Sequence, residues 1–192
     1  MGNPGAGKGY ITTRLIKEHG DNYKLICAGD LLRAEKKSGS PLGKKIAKLI
    51  DSGNYVSDEL ITNIVYNEIK KEKSINKSFL LDGYPRTVKQ AKSLEAMINP
   101  PIIIWLNVSD EVTIKRNLDR GVEFGRPDDS NIDLIKERLK IYKESTLPLK
   151  KHYSGRVINI DAERSKDEVY SDVLDILFET FKEPKNIFTA FV

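Results

Sequence analysis

The 192-residue chain is 39% hydrophobic and 31% charged, a globular composition that excludes a disordered polymer, and its apolar runs are too short to span a membrane. Lys and Arg outnumber Asp and Glu by 32 to 28, giving a net charge of +4, which suits small anionic ligands but is too slight and dispersed for nucleic-acid binding. The single cysteine, Cys27, rules out an intrachain disulfide and points to a reducing, cytoplasmic setting.

The chain opens on Gly2-Asn3-Pro4-Gly5-Ala6-Gly7-Lys8, which carries the glycines and lysine of a phosphate-binding loop. Glycines let successive backbone N–H groups turn towards one anion, and the helix that follows adds its positive end. The residue after Lys8 is Gly9, not the Ser or Thr whose hydroxyl helps hold Mg²⁺, so other groups must serve the metal. Helical spacing covers Tyr10–His19, then a β-branched run marks a strand at Tyr23–Cys27. Helices follow at Leu42–Ser52 and Asp58–Lys71, the second capped by Ser57. A strand at Ser78–Asp82, a helix at Val88–Met97, a strand at Ile102–Val108 and a helix at Asp110–Asp119 continue the alternation. One long helix is expected over Ile132–Tyr153, a strand at Val157–Asp161, and a helix over Ser165–Lys182 opened by the capping box of Ser165 and Glu168. Strands without polar alternation are covered on both faces, which predicts a doubly wound parallel α/β fold.

A phosphate loop should follow a strand, and no strand candidate precedes Gly2. The run Asn186–Val192 (NIFTAFV) is strand-like and otherwise unassigned, and read into the start of the chain it gives NIFTAFV-MGNPGAGKG. The expectation is a circularly permuted arrangement in which residues 186–192 supply the central strand.

GNPGAGKG resembles the phosphate loop of adenylate kinases and UMP/CMP kinases, the nucleoside monophosphate kinase family. The resemblance continues in family order through Ala28-Gly29-Asp30-Leu31-Leu32-Arg33, Gly53-Asn54-Tyr55-Val56-Ser57-Asp58-Glu59, Asp82-Gly83-Tyr84-Pro85-Arg86-Thr87 to Gln90, and Arg120-Gly121 with Gly125-Arg126-Pro127-Asp128-Asp129. It implies a P-loop NTPase core, a three-layer α/β/α sandwich on a five-stranded parallel sheet. One domain is expected, with its core at residues 1–27, 60–119 and 132–192, a helical monophosphate-binding insertion at 28–59, and a short lid at 120–131.

The same resemblance implies roles. Gly5, Ala6, Gly7, Lys8, Gly9, Tyr10, Arg116 and Arg120 would bind ATP, with Arg116 against the adenine. Ala28, Arg33, Tyr55, Val56, Gly83, Arg86, Gln90, Arg126 and Arg138 would bind AMP, with Gln90 reading its base. Lys8, Arg86, Arg120, Arg126 and Arg138 would carry catalysis by neutralising phosphoryl charge. Asp82 and Asp30 would hold Mg²⁺ through water, and the Tyr84–Pro85 bond is expected to be cis. Departures are Tyr10 and Ala28, where the family often has Thr, and one extra residue near Ser130. Gln90 with Thr87 favours AMP as acceptor, whereas Ala28 leaves a UMP/CMP kinase as the alternative. A non-catalytic nucleotide-binding domain is the alternative of another class. The partners expected are ATP and AMP, with no nucleic acid or membrane and no second subunit.

Overall fold

A computed structural model describes residues 1–51, 56–72, 77–98, 102–124, 129–180 and 189–191. In chain order they form α1 (Lys8–His19), β1 (Tyr23–Cys27), α2 (Ala28–Ser38), α3 (Pro41–Asp51), α4 (Asp58–Glu72), β2 (Ser78–Asp82), α5 (Val88–Glu95), β3 (Ile102–Asn107), α6 (Asp110–Phe124), α7 (Ile132–Ile141), α8 (Leu149–His152), β4 (Val157–Asp161), α9 (Lys166–Thr180) and β5 (Thr189–Phe191).

The strands run parallel in the order β1-β2-β5-β3-β4. Their successive residues divide between two apolar cores. Phe79, Leu81, Ile103 and Trp105 face one core with Ile61, Val65 and Ile69 of α4, Leu94 of α5 and Leu149 of α8. Leu80, Ile104, Leu106 and Ile160 face the other with Ile11 and Leu15 of α1 and Val173 and Leu177 of α9. Helices on both faces explain why the strands read as apolar runs without alternation.

Thr189–Phe191 lies between β2 and β3, with Leu81 and Ile103 both opposite Phe191. Further along β3, Leu106 N donates to Met1 O at 2.7 Å and Gly2 bridges Leu106 in the parallel sense, while the Met1 nitrogen donates to Ile104 O. The end and the beginning of the chain therefore occupy one strand position in succession, leading directly into the phosphate loop. Residues 186–188 and Val192 lie outside the described residues.

One expectation needs correction. The single helix over Ile132–Tyr153 is broken: α7 gives way to a π turn at Tyr142–Thr146, and α8 starts only at Leu149. Pro148 is the cause, because it has no N–H to continue the ladder; just before it, Leu147 N reaches Tyr142 O at 2.9 Å in the wider π spacing. Helix α2 falls within the helical insertion expected over residues 28–59, although the apolar pattern alone does not announce it. Its apolar face is one turn long, with Ala28 buried and Leu31 and Leu32 partly buried against the core, and Gly39 ends it at φ 70° in the left-handed region. The expected caps form, with Ser57 Oγ accepting from Leu60 N and Ser165 exchanging hydrogen bonds with Glu168, and Asn131 Oδ1 caps α7 by accepting from Asp133 N.

Candidate active site

The phosphate loop leaves the central strand position with Gly2 at φ 149° and turns through Gly5 at φ 90°. A Cβ on Gly2 would come within 2.5 Å of Leu106 O, and one on Gly5 within 2.5 Å of Asn117 Nδ2, so both positions need glycine for space and for backbone angle. Asn3, 7% exposed, anchors the loop from beneath by donating to Val108 O at 3.0 Å and Thr113 Oγ1 at 3.2 Å. Gly7 precedes α1, which has no side-chain cap and no acidic residue in its first turn. Its amino end thus keeps its partial positive charge for an anion.

Lys8 folds back over the loop, its Nζ donating to Gly2 O and Asn3 O, both at 2.8 Å. Burial pulls its ammonium down to about 8. The Asp82 carboxylate opposes that shift, and the positive charges of Arg86, Arg120 and Arg138 add to it. Four charged groups from separate elements therefore act on one amine. Asp82 ends β2, Arg86 follows it after the cis Tyr84–Pro85 bond, Arg120 lies on α6 and Arg138 on α7.

Arg120 and Arg138 are held by Asp129, whose carboxylate is fully buried. Arg120 donates to it from Nε at 2.7 Å and Nη2 at 2.9 Å, and Arg138 from Nη1 at 2.7 Å. Burial alone would raise the Asp129 pKa, but the hydrogen bonds from Arg120 and Arg138 outweigh it and hold the carboxyl below its usual range. Asn117, fully buried on α6, joins this group to the loop. Its Oδ1 accepts from Arg120 Nη2 at 2.8 Å, and its Nδ2 donates to Pro4 O at 2.8 Å and Thr113 O at 2.7 Å.

Arg86 is exposed and turns its Nε to Gly83 O at 3.0 Å. Gln90 is 6% exposed; its Oε1 accepts from Arg86 N at 2.6 Å and its Nε2 donates to Asp58 Oδ1 at 2.6 Å. Arg33, exposed on α2, donates to Asp30 at 2.5 Å, and this hydrogen bond is the main cause of the lowered Asp30 pKa. Ala28 is buried at the start of α2, and Val56 packs on the core beside it. Arg116 donates to Ala162 O at 2.8 Å, in the turn after β4. Tyr10, 38% exposed, accepts from Arg14 through its hydroxyl, and Lys166 sits over its ring.

Of the residues expected at the site, Tyr55 and Arg126 lie outside the described residues. Lys8, Asp82, Arg86, Arg120 and Arg138 converge, whereas Arg33 and Arg116 stand apart on flanking elements. Asp129, Asn117, Asn3 and Asp58 were not singled out from sequence. Asn3, Asp58 and Asp129 fall inside the quoted motifs without a role of their own there, and a buried Asn on an amphipathic helix, such as Asn117, gives no signal. Among the described residues no group of three or more His, Cys, Asp or Glu is placed to hold a metal.

A glycine loop feeding a helix, a lysine folded over that loop and arginines gathered near it define a phosphotransferase of the P-loop class. The adenylate kinase family profile matches residues 1–158. The chain is 37% identical over 180 residues to adenylate kinase isoenzyme 1 of Gallus gallus, covering 92% of this chain and 91% of that protein. It is 39% identical over 184 residues to an adenylate kinase of Synechococcus sp. (strain CC9902), covering 92% and 96%. It is 35% identical over 182 residues to a uridylate kinase of Saccharomyces cerevisiae, covering 92% and 88%. The chain belongs to the adenylate kinase family, and it is a nucleoside monophosphate kinase.

Proposed function

We infer that the chain transfers the terminal phosphoryl group of ATP reversibly to AMP, giving two ADP. The observation that carries this reading is the hydrogen-bonded frame around the phosphate loop: Lys8 Nζ folds onto Gly2 O and Asn3 O, and Asn117 joins Pro4 O to Arg120, which Asp129 holds together with Arg138. Positive charge gathered around one lysine suits a donor phosphate and an acceptor phosphate brought end to end. Such transfer asks little covalent chemistry of the protein, only alignment and neutralisation of charge.

In this reading the loop from Gly5 to Gly9 cradles the donor phosphates with its N–H groups, and Lys8 leaves the Gly2 and Asn3 carbonyls to meet them. Arg33 and Arg86 grip the acceptor phosphate with their guanidinium forks. Arg120, Arg126 and Arg138 stabilise the equatorial oxygens in flight, while Arg116 and Tyr10 flank the donor nucleoside and Gln90 reads the acceptor base. No general base is needed, because the acceptor phosphate oxygen is already ionised. The residues present fit Mg²⁺ held through water: Asp82 lies close enough to Lys8 to act on its charge, Asp30 lies nearby, and Gly9 offers no hydroxyl. Bound with ATP, the ion supplies charge neutralisation at the phosphates.

Residues 28–59, with α2 and α3, serve as the monophosphate-binding insertion, and residues 120–131 as a short lid on the core. The placement of Thr189–Phe191 beside the start of the loop supports a permuted central strand. The reading includes a monomeric, cytoplasmic enzyme. No helix among the described residues is long and apolar enough to cross a membrane.

A pyrimidine monophosphate is the second reading, favoured by Ala28 and by the likeness to a uridylate kinase. Initial rates from Mg-ATP to AMP, CMP, UMP and GMP, run in parallel, separate the two. The expected result is ADP formation with AMP at well over ten times the rate of any other acceptor. Preference for UMP or CMP moves the assignment to the second reading, and ATP binding with no transfer to any acceptor refutes an enzyme.

A further inference from the structure

We propose that Asp58 is a positioning residue that sets the orientation of the Gln90 amide and so makes the acceptor site choose a 6-amino purine over a 6-oxo purine. This rests on the reading that Gln90 faces the acceptor base. The argument begins with donors and acceptors. Arg86 N can only donate, so the Gln90 atom 2.6 Å away is its oxygen. The Asp58 carboxylate can only accept, so the Gln90 atom 2.6 Å from Oδ1 is its nitrogen. The second Asp58 oxygen accepts from Thr87 Oγ1 at 2.9 Å, and that hydroxyl in turn accepts from Gln90 N at 3.1 Å. Every link in the ring of Asp58, Thr87, Gln90 and Arg86 thus has one allowed direction.

Asp58 is also well placed for the task. It lies in the first turn of α4, where the helix dipole favours a carboxylate, and Gln90, at 6% exposure, has little water to turn in. What Gln90 has left is one amide N–H and one oxygen lone pair. An amide in one orientation matches the adenine edge, which accepts at N1 and donates from its 6-amino group. Rotated by half a turn, it matches hypoxanthine or guanine, which donate at N1 and accept at O6. Turning Gln90 would set its oxygen against the Asp58 carboxylate and its NH₂ against Arg86 N–H, two repulsions that hold it in the first orientation.

The incisive variant is Asp58→Asn, which keeps the shape and can still hydrogen-bond Gln90 and Thr87, but presents either an oxygen or an NH₂ and so tolerates both amide orientations. The probes are AMP and IMP, which differ at this edge alone. The readout is the ratio of their kcat/KM values, with ATP KM and Tm measured alongside. Arg86 N–H still opposes the turn, so the ratio is expected to fall about tenfold, not to vanish, while ATP KM and Tm stay near wild type. Asp58→Ala should give at least the same fall. Glu59→Gln, which removes only the exposed ion pair to Lys89 at 2.8 Å, should leave the ratio unchanged. A wild-type chain that prefers AMP but whose Asp58→Asn ratio stays within twofold overturns the orienting role and leaves the reaction standing. Equal losses on AMP and IMP, the mark of a merely structural residue, overturn it as well. A wild-type chain that does not phosphorylate AMP overturns both the inference and the reading beneath it.

Discussion

Asp129 has no exposed surface, yet its carboxylate accepts three hydrogen bonds, at 2.7, 2.9 and 2.7 Å, from two arginines assigned to the transferring phosphoryl group. Asp129→Ala removes them all. A net charge-assisted hydrogen bond contributes about 1.5–3 kcal/mol when well buried. The arginine side chains are 31% and 34% exposed, so water recovers much of the loss. About 1 kcal/mol per arginine is then reasonable, some 2 kcal/mol in all, and for a chain of this size that lowers Tm by roughly 4–8 °C. The effect on catalysis should be larger, because arginines displaced by about 1 Å cost on the order of 10²-fold in rate. Calorimetry and steady-state rates with ATP and AMP should therefore show a modest fall in Tm beside a hundredfold fall in kcat. The acid side adds a signature. A carboxyl with a depressed native pKa contributes stability above its ordinary value, near pH 4, and loses it as pH falls through the native one. The stability gap between wild type and Asp129→Asn should narrow with acidification over that interval. A lowered Tm with unchanged kcat would refute the claim that Asp129 sets the arginines.

The Lys8 amine, near 8 in the unliganded protein, should be fully charged below about pH 7 and should take up a proton on ATP binding above pH 8. ATP Kd from calorimetry should hold steady to pH 7.5 and then weaken, approaching tenfold per unit by pH 9. The sign for stability is opposite: between about 8 and the ordinary lysine value the unfolded chain binds more protons, so this group favours the unliganded fold increasingly as pH rises. In Lys8→Met both dependences should disappear, and an unchanged pH profile would count against the assignment. Asn117→Leu deletes the bridge from Pro4 O to Arg120 and leaves that part-buried carbonyl without its donor. It should raise ATP KM about tenfold with AMP KM little changed, from the roughly 1–3 kcal/mol such a loss costs; equal rises in both would show a general loosening instead.

Much of this was legible in the residues. The strands Tyr23–Cys27, Ser78–Asp82 and Val157–Asp161 stand at the expected bounds; burial on both faces leaves the unbroken Phe79-Leu80-Leu81 run in the second, whereas Asn159 and Asp161 of the third are exposed. The loop and its lysine were legible because backbone approach to phosphate demands glycine at fixed spacing. The strand-like run near the end of the chain was legible because a phosphate loop needs a strand before it, and Thr189–Phe191 stands in that position. The amphipathic signal was too short on α2, where only Ala28, Leu31 and Leu32 face the core, and it failed on the run past Ile141, where Pro148 outweighs helical spacing. Within the site, charged residues that meet phosphate stood out inside motifs. The groups that hold them did not: Asp129, Asn117 and Asp58 gain their meaning only when α4 meets α5 and α6 meets the phosphate loop.

The most direct test of the central claim is ³¹P NMR of the purified protein with Mg-ATP and AMP. The account predicts that ATP and AMP fall together, that two ADP appear for each pair lost, and that the same mixture is reached starting from ADP alone. Release of inorganic phosphate with AMP unconsumed, or resonances that do not change, would contradict it.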